Sequence, residues 1–121
     1  MAVNQRDVYL IEFPPFDNVV DQHLFIVLSI EESNQYENSF IAVMITSTKY
    51  QDDYSFLLSN EMFDSPLDKS GSHVRMHLIT LCYDREIKGR KVNTMKEFYF
   101  RQLMKSIGDL VFNYNFTPNA Q

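Results

Sequence analysis

Six apolar residues run unbroken from Phe40 to Ile45, and three hydroxyl residues, Thr46, Ser47 and Thr48, follow at once. An apolar run of this length, rich in β-branched types, predicts a strand over residues 40–48 that is buried on both faces. The segment Ser72–Thr80 behaves differently. His73, Arg75 and His77 alternate with Val74, Met76 and Leu78, a period-two pattern that puts polar groups on one face of a strand and apolar ones on the other. Asp7–Phe13, His23–Ser29 and Tyr54–Leu58 read as three further strands, and a short basic strand is expected around Ile87–Val92. Pro14 and Pro15 are expected to stop the first strand, because proline cannot donate to a ladder. Residues 14–22 then read as a loop that folds back over the body, and Glu31–Asn38 as a polar connector. Residues 59–71 contain Pro66 and Gly71 and read as loop, with one helical turn near Asn60–Phe63.

Toward the end the period changes. Phe100, Leu103, Met104, Ile107, Leu110 and Val111 recur at helical spacing, which predicts an amphipathic helix over residues 95–112 laid on the sheet. Thr94 followed three residues later by Glu97 is the signature of a capping box. Five or six short strands and one terminal helix predict a mainly β fold, a small barrel or half-barrel sealed by that helix. Residues beyond 112 are expected to fray.

Composition narrows the class. A length of 121 residues fits one domain, 1–121, with a core sufficient without disulfide or metal. Cys82 is the single cysteine, so no disulfide framework forms, and a reducing cytoplasm is the expected compartment. The polar start of the chain has no apolar region after it, so no signal peptide is expected. No run approaches a membrane span.

The net charge of −5 is unevenly spread. Residues 1–64 carry two basic and eleven acidic groups, a balance of −9; residues 65–121 carry nine and five, a balance of +4. Arg85, Lys88, Arg90 and Lys91 cluster within seven positions. Such a patch can bind phosphate on an acidic protein, and it can equally be a solvated loop.

Chemistry-bearing motifs are few. There is no glycine-rich phosphate loop and no zinc pattern. His73 and His77 share a strand face with no third ligand in view, so no metal and no cofactor are expected. A strand that ends in hydroxyls offers short donors and acceptors from a rigid element, which suits phosphate binding and also plain capping of a loop.

Four blocks in order, Asp7-Val-Tyr-Leu-Ile-Glu-Phe13, His23-Leu-Phe-Ile-Val-Leu-Ser29, Ile41-Ala-Val-Met-Ile-Thr-Ser47 and Ser72-His-Val-Arg-Met-His-Leu-Ile-Thr80, together resemble the MazF/PemK toxins of type II toxin–antitoxin systems. The resemblance spans about residues 6–112. It implies a small SH3-like barrel of five to seven strands that forms a homodimer, cuts single-stranded RNA without metal or cofactor, and is restrained by an antitoxin protein. The family's catalytic arginine and threonine correspond here to His23 and Thr46. Ser47, Arg75, Lys88 and Arg90 are the further residues expected to contact RNA phosphates. Two departures stand out: the family's Arg-Pro pair is His23-Leu24, and its first-strand glycine is Arg6. An imidazole cannot make the bidentate phosphate contact of a guanidinium, but it exchanges a proton near neutrality. The rival reading is a catalytically silent barrel of the same shape that binds a protein or peptide, which the acidic first half and the missing arginine favour.

Overall fold

The computed structural model describes residues 2–16, 19–67 and 71–114, with side chains described outside residues 14–20. Its elements follow in the order β1 (Asp7–Phe16), β2 (Val19–Val27), α1 (Glu31–Asn34), β3 (Ser39–Thr46), β4 (Ser55–Leu57), β5 (His73–Tyr83), β6 (Ile87–Thr94) and α2 (Glu97–Leu110). Short 3-10 turns cover Asn60–Met62 and Asp84–Glu86. The six strands form one antiparallel sheet in the order β4-β5-β3-β2-β1-β6.

Residues Phe40–Ile45 of β3, a central strand, are apolar without a break because side chains on both sheet faces enter a core. Phe40 and Ala42 pack with Tyr9, Ile11, Phe25, Val27 and Cys82 on one face. Val43 and Ile45 pack with Val8, Ile26, Val74 and Met76 on the other, where Phe100, Leu103 and Ile107 of α2 lie against them. The stripe expected on the last helix is therefore the buried one at Phe100, Leu103 and Ile107, while Met104 and Leu110 remain exposed.

Two bulges bend this sheet. Between the pairs Val43 with Ile79 and Ile45 with Val74, β5 uses five steps against two on β3. Between Val8 with Asn93 and Leu10 with Lys88, β6 likewise uses five steps against two on β1. Extra residues on one strand increase local twist and bend. The sheet is nonetheless open rather than a closed barrel. Its ladder ends at β4 and β6, and a single bridge from Phe63 to Met95 links the segment after β4 to the far edge.

Three expectations need correction. The first strand does not stop at Pro14; it continues to Phe16. The register slips by one residue between Phe13 and Phe16, and this stretch lies past the last pair with β6, Ile11 with Ile87, so one side needs no donor. The expected loop over residues 14–22 is for the most part the two arms of this hairpin, with residues 17 and 18 outside the described ones. Finally, Thr94 does not cap the helix. It ends β6, its hydroxyl donates to Asp7 Oδ1 at 3.3 Å, and α2 starts after Lys96 without a side-chain cap.

Arg6 occupies the left-handed region at φ 79°, which is uncommon for a residue with a side chain. Its N–H donates to Val27 O, its carbonyl accepts from Met95 N–H, and its guanidinium donates to Met95 O at 3.2 Å. The position of the family's glycine thus keeps a glycine-like backbone, held by bonds at both ends.

Cys82 is fully buried, and its thiol is pushed up from an ordinary 9.0 to about 12 by burial and then by the Glu86 charge. An unfolded chain therefore loses this proton first. The stabilising effect is whole below the ordinary thiol value and falls as pH climbs from there toward 12. Urea unfolding at about pH 8 and about pH 10.5 should show a larger alkaline loss for the wild type than for Cys82→Ala. Equal losses would contradict it.

Candidate functional site

A cleft of about 620 Å³ opens where β3 ends beside the β1–β2 hairpin. Its apolar wall comes from Val8, Leu10, Leu24, Ile45, Phe63, Leu67 and Val92, and its polar groups from Gln22, His23, Thr46, Ser47, Thr48, Ser72 and Asn93. The shape follows from unequal strand lengths. The last pair between β2 and β3 is Leu24 with Ile45, so the hairpin runs on past β3 and leaves a step. Asn93 closes the opposite side. Its Oδ1 accepts the Ser65 N–H at 3.1 Å and its Nδ2 donates to Ser65 O at 3.0 Å, tying residues 63–67 to β6.

Continuing the β2–β3 register by one step sets His23 opposite Thr46, and Thr46 is itself paired with His73 on β5. Directly opposed residues of antiparallel strands have Cα atoms about 4.5–5.5 Å apart. His73 is thus the paired neighbour of Thr46, and His23 lies one residue beyond the last β2–β3 pair. The Thr46 Oγ1 accepts the Thr48 N–H at 3.3 Å, which leaves its own O–H free to donate. Ser47 is exposed, with no hydrogen-bond partner among the described residues. His23 is half-buried, and its Nε2 lies 2.8 Å from Asp21 Oδ1.

Arg75 stands elsewhere. It does not line the cleft; it grips Asp52 with two bonds of 2.8 and 3.1 Å, donates to Ser55 Oγ at 2.9 Å and lies over the Tyr50 ring. The Asp52 carboxyl is held below its usual range chiefly by this hydrogen bond. Arg75 thereby anchors the loop that leaves Thr46. Lys88 sits outside the cleft lining, 3.4 Å from Glu12 Oε2. Arg90 is exposed on the β6 bulge beside Gly89, whose φ of 80° suits the turn there.

His73, on the strand face expected to be polar, is wholly buried, with neither ring nitrogen hydrogen-bonded among the described residues. A buried polar group without a partner costs about 1–3 kcal/mol. His73→Leu is therefore expected to raise stability by about that amount in denaturant titration, and a loss of stability would show that the imidazole is satisfied. Among the described residues no cluster of three or more His, Cys, Asp or Glu could hold a metal, and no helix is long and apolar enough to cross a membrane.

The sequence profile of the PemK-like, MazF-like toxins of type II toxin–antitoxin systems matches residues 4–111. The chain belongs to this family. Solved MazF structures share its fold at low identity. The MazE–MazF structure from Deinococcus radiodurans aligns with a TM-score of 0.76 at 14% identity, over 94% of this chain and 99% of the other. An endoribonuclease from Mycobacterial species, solved with its cognate antitoxin, gives 0.69 at 13% identity over 94% and 99%. The Mycobacterium tuberculosis toxin MazF-mt6 gives 0.63 at 13% over 86% and 94%. No individual curated protein sequence matches.

In this MazF/PemK-type chain, the structure brings together three of the residues singled out from sequence, His23, Thr46 and Ser47, and leaves Arg75, Lys88 and Arg90 outside the cleft. Sequence reading missed Ser72, Asn93 and Asp21. Asp21 is two residues from His23, which puts both on one face of a strand, a relation hidden where Pro14 and Pro15 make residues 14–22 read as loop.

Proposed function

We propose that this chain is a toxin that cleaves single-stranded RNA, messenger RNA included, by transesterification with side chains alone, His23 and Thr46 acting at the cleft. The observation that carries the reading is that both line one cleft with polar lining, each one residue past the last β2–β3 pair, Leu24 with Ile45. The reaction needs a proton acceptor for the 2′-hydroxyl, donors to the phosphate oxygens and a proton for the leaving 5′-oxygen. His23 supplies the acceptor. The Thr46 and Ser47 hydroxyls donate to the phosphate. Arg75 holds the loop that follows Thr46 through Asp52, and Lys88 and Arg90 add positive field at the rim.

The fold is read as a curled, incompletely closed form of the SH3-like barrel, a reading supported by the two bulges and the Phe63–Met95 bridge. An antitoxin protein in the cytoplasm restrains the toxin, a reading supported by relatives solved with theirs. The purified protein is expected to cut a mixed-sequence single strand and to spare the same sequence in a duplex, with cutting undiminished by EDTA. Cutting of the duplex alone would contradict the single-strand substrate, and cutting of neither would turn the reading toward a peptide-binding module.

The working unit is a homodimer. Exposed apolar side chains, among them Ile41 paired with Leu81 and Phe98 on α2, leave surface that a second copy would cover. Light scattering at micromolar concentration should give about twice 14.3 kDa, and 14.3 kDa itself would contradict it.

A further inference from the structure

Asp21 and His23 lie two residues apart on β2, opposite Phe13 and Ile11 of β1, and so project from the same face. Asp21 Oδ1 stands 2.8 Å from His23 Nε2. Among the described residues the hairpin's other carboxylate, Glu12, is taken up by Gln22 at 2.8 Å and Lys88 at 3.4 Å. Asp21 is therefore the carboxylate that faces the ring.

An ionised carboxylate only accepts hydrogen bonds. Two lone pairs at this distance would repel, so the ring nitrogen next to Asp21 carries the proton and the neutral ring keeps its lone pair on Nδ1. Among the described residues Nδ1 has no partner. We propose that Asp21 is a positioning residue for this site: it selects the Nε2–H form of His23 and so presents Nδ1 as the base. The inference rests on the function proposed above and adds a residue for which the matching pattern, with arginine at this position, has no need.

The step balances. The 2′-hydroxyl proton passes to Nδ1, O2′ bonds to phosphorus, the bond from phosphorus to O5′ breaks, and O5′ takes a proton from solvent water. The imidazolium that forms has both nitrogens protonated and rests beside the Asp21 charge until it returns its proton to water. Both side chains are about half exposed, 40% for His23 and 54% for Asp21, so water shares the effect and it is smaller than in a closed triad.

Asp21→Asn is the informative change, because an amide can turn its N–H₂ toward Nε2 and stabilise the opposite tautomer. Two readouts apply. The first is the ¹⁵N spectrum of the His23 ring in the free protein above neutral pH. Wild type should show mainly the Nε2–H form, and Asp21→Asn should shift the ring toward Nδ1–H. The second is RNA cleavage, where kcat should fall about 10- to 1,000-fold while KM changes little. Asp21→Ala should give a mixture of tautomers and an intermediate loss. A wild-type ring in the Nδ1–H form, or the same tautomer and kcat in Asp21→Asn, would overturn the proposal. Wild type that cuts no RNA overturns the proposed function, and the tautomer of the free protein then still decides whether Asp21 sets the ring.

Discussion

His23→Ala is expected to lower RNA cleavage by about 10²–10⁴-fold, an increase in barrier of about 2.7–5.5 kcal/mol, which is the scale of a lost general base. The expectation follows from the place of His23 beside Thr46 in the cleft lining, with a carboxylate against its Nε2. The alanine variant should remain folded, because the ring is half-exposed and belongs to neither core cluster. His23→Arg tests the other half of the argument. It returns the family's charge, which binds phosphate but cannot serve as a base at neutral pH, and partial recovery would mean that phosphate binding dominates the site. Rates measured under saturating RNA for His23→Ala, His23→Arg and wild type check the assignment, and an alanine variant as fast as wild type would remove His23 from the reaction.

Leu103→Ala should cost about 2–5 kcal/mol of folding stability, and Ile107→Ala a similar amount. Leu103 is fully buried and Ile107 nearly so, and both lie one turn apart in the layer between α2 and the sheet. Neighbours such as Val8, Ile26 and Met76 sit on rigid strands and have little freedom to fill the cavity. A domain of this size has a total stability of about 5–15 kcal/mol, so either change removes a large share of it. Chemical denaturation that shows less than about 0.5 kcal/mol for both would place α2 off the core.

The elements most legible in the sequence are those whose side chains all answer to one surface. The Phe40–Ile45 run is apolar on both faces because β3 is covered on both, and the helix stripe at Phe100, Leu103 and Ile107 follows the single face it buries. Legibility failed where non-local pairing decides. Pro14 and Pro15 mark a stop by local rules, but a one-residue slip in the hairpin lets β1 continue. Thr94 and Glu97 have capping spacing, yet Thr94 is held in β6 by Asp7. His73 belongs by alternation to a polar face, yet the structure buries it completely while Arg75 and His77 of the same face keep exposure. In the site, the hydroxyl run is visible because it follows directly on the apolar run of β3, and His23 is visible through the block it opens, although the structure places it in the middle of β2 rather than at its start. Arg75 misleads because its partner Asp52 is 23 residues away in sequence, and Asp21 is hidden because residues 14–22 read locally as a loop.

One assay bears directly on the reading of the site. Purified wild type, Thr46→Ala and His23→Ala, each shown to be folded, are incubated with an end-labelled, mixed-sequence single-stranded RNA in EDTA, and the ends of the fragments are identified. Wild type should release fragments with cyclic 2′,3′-phosphate and free 5′-hydroxyl ends. Thr46→Ala should be slower by about 10–1,000-fold, equivalent to about 1.4–4 kcal/mol of lost phosphate stabilisation, and His23→Ala should approach background. Wild type that leaves the RNA intact over hours, or fragments that carry 5′-phosphates, would contradict transesterification at this cleft.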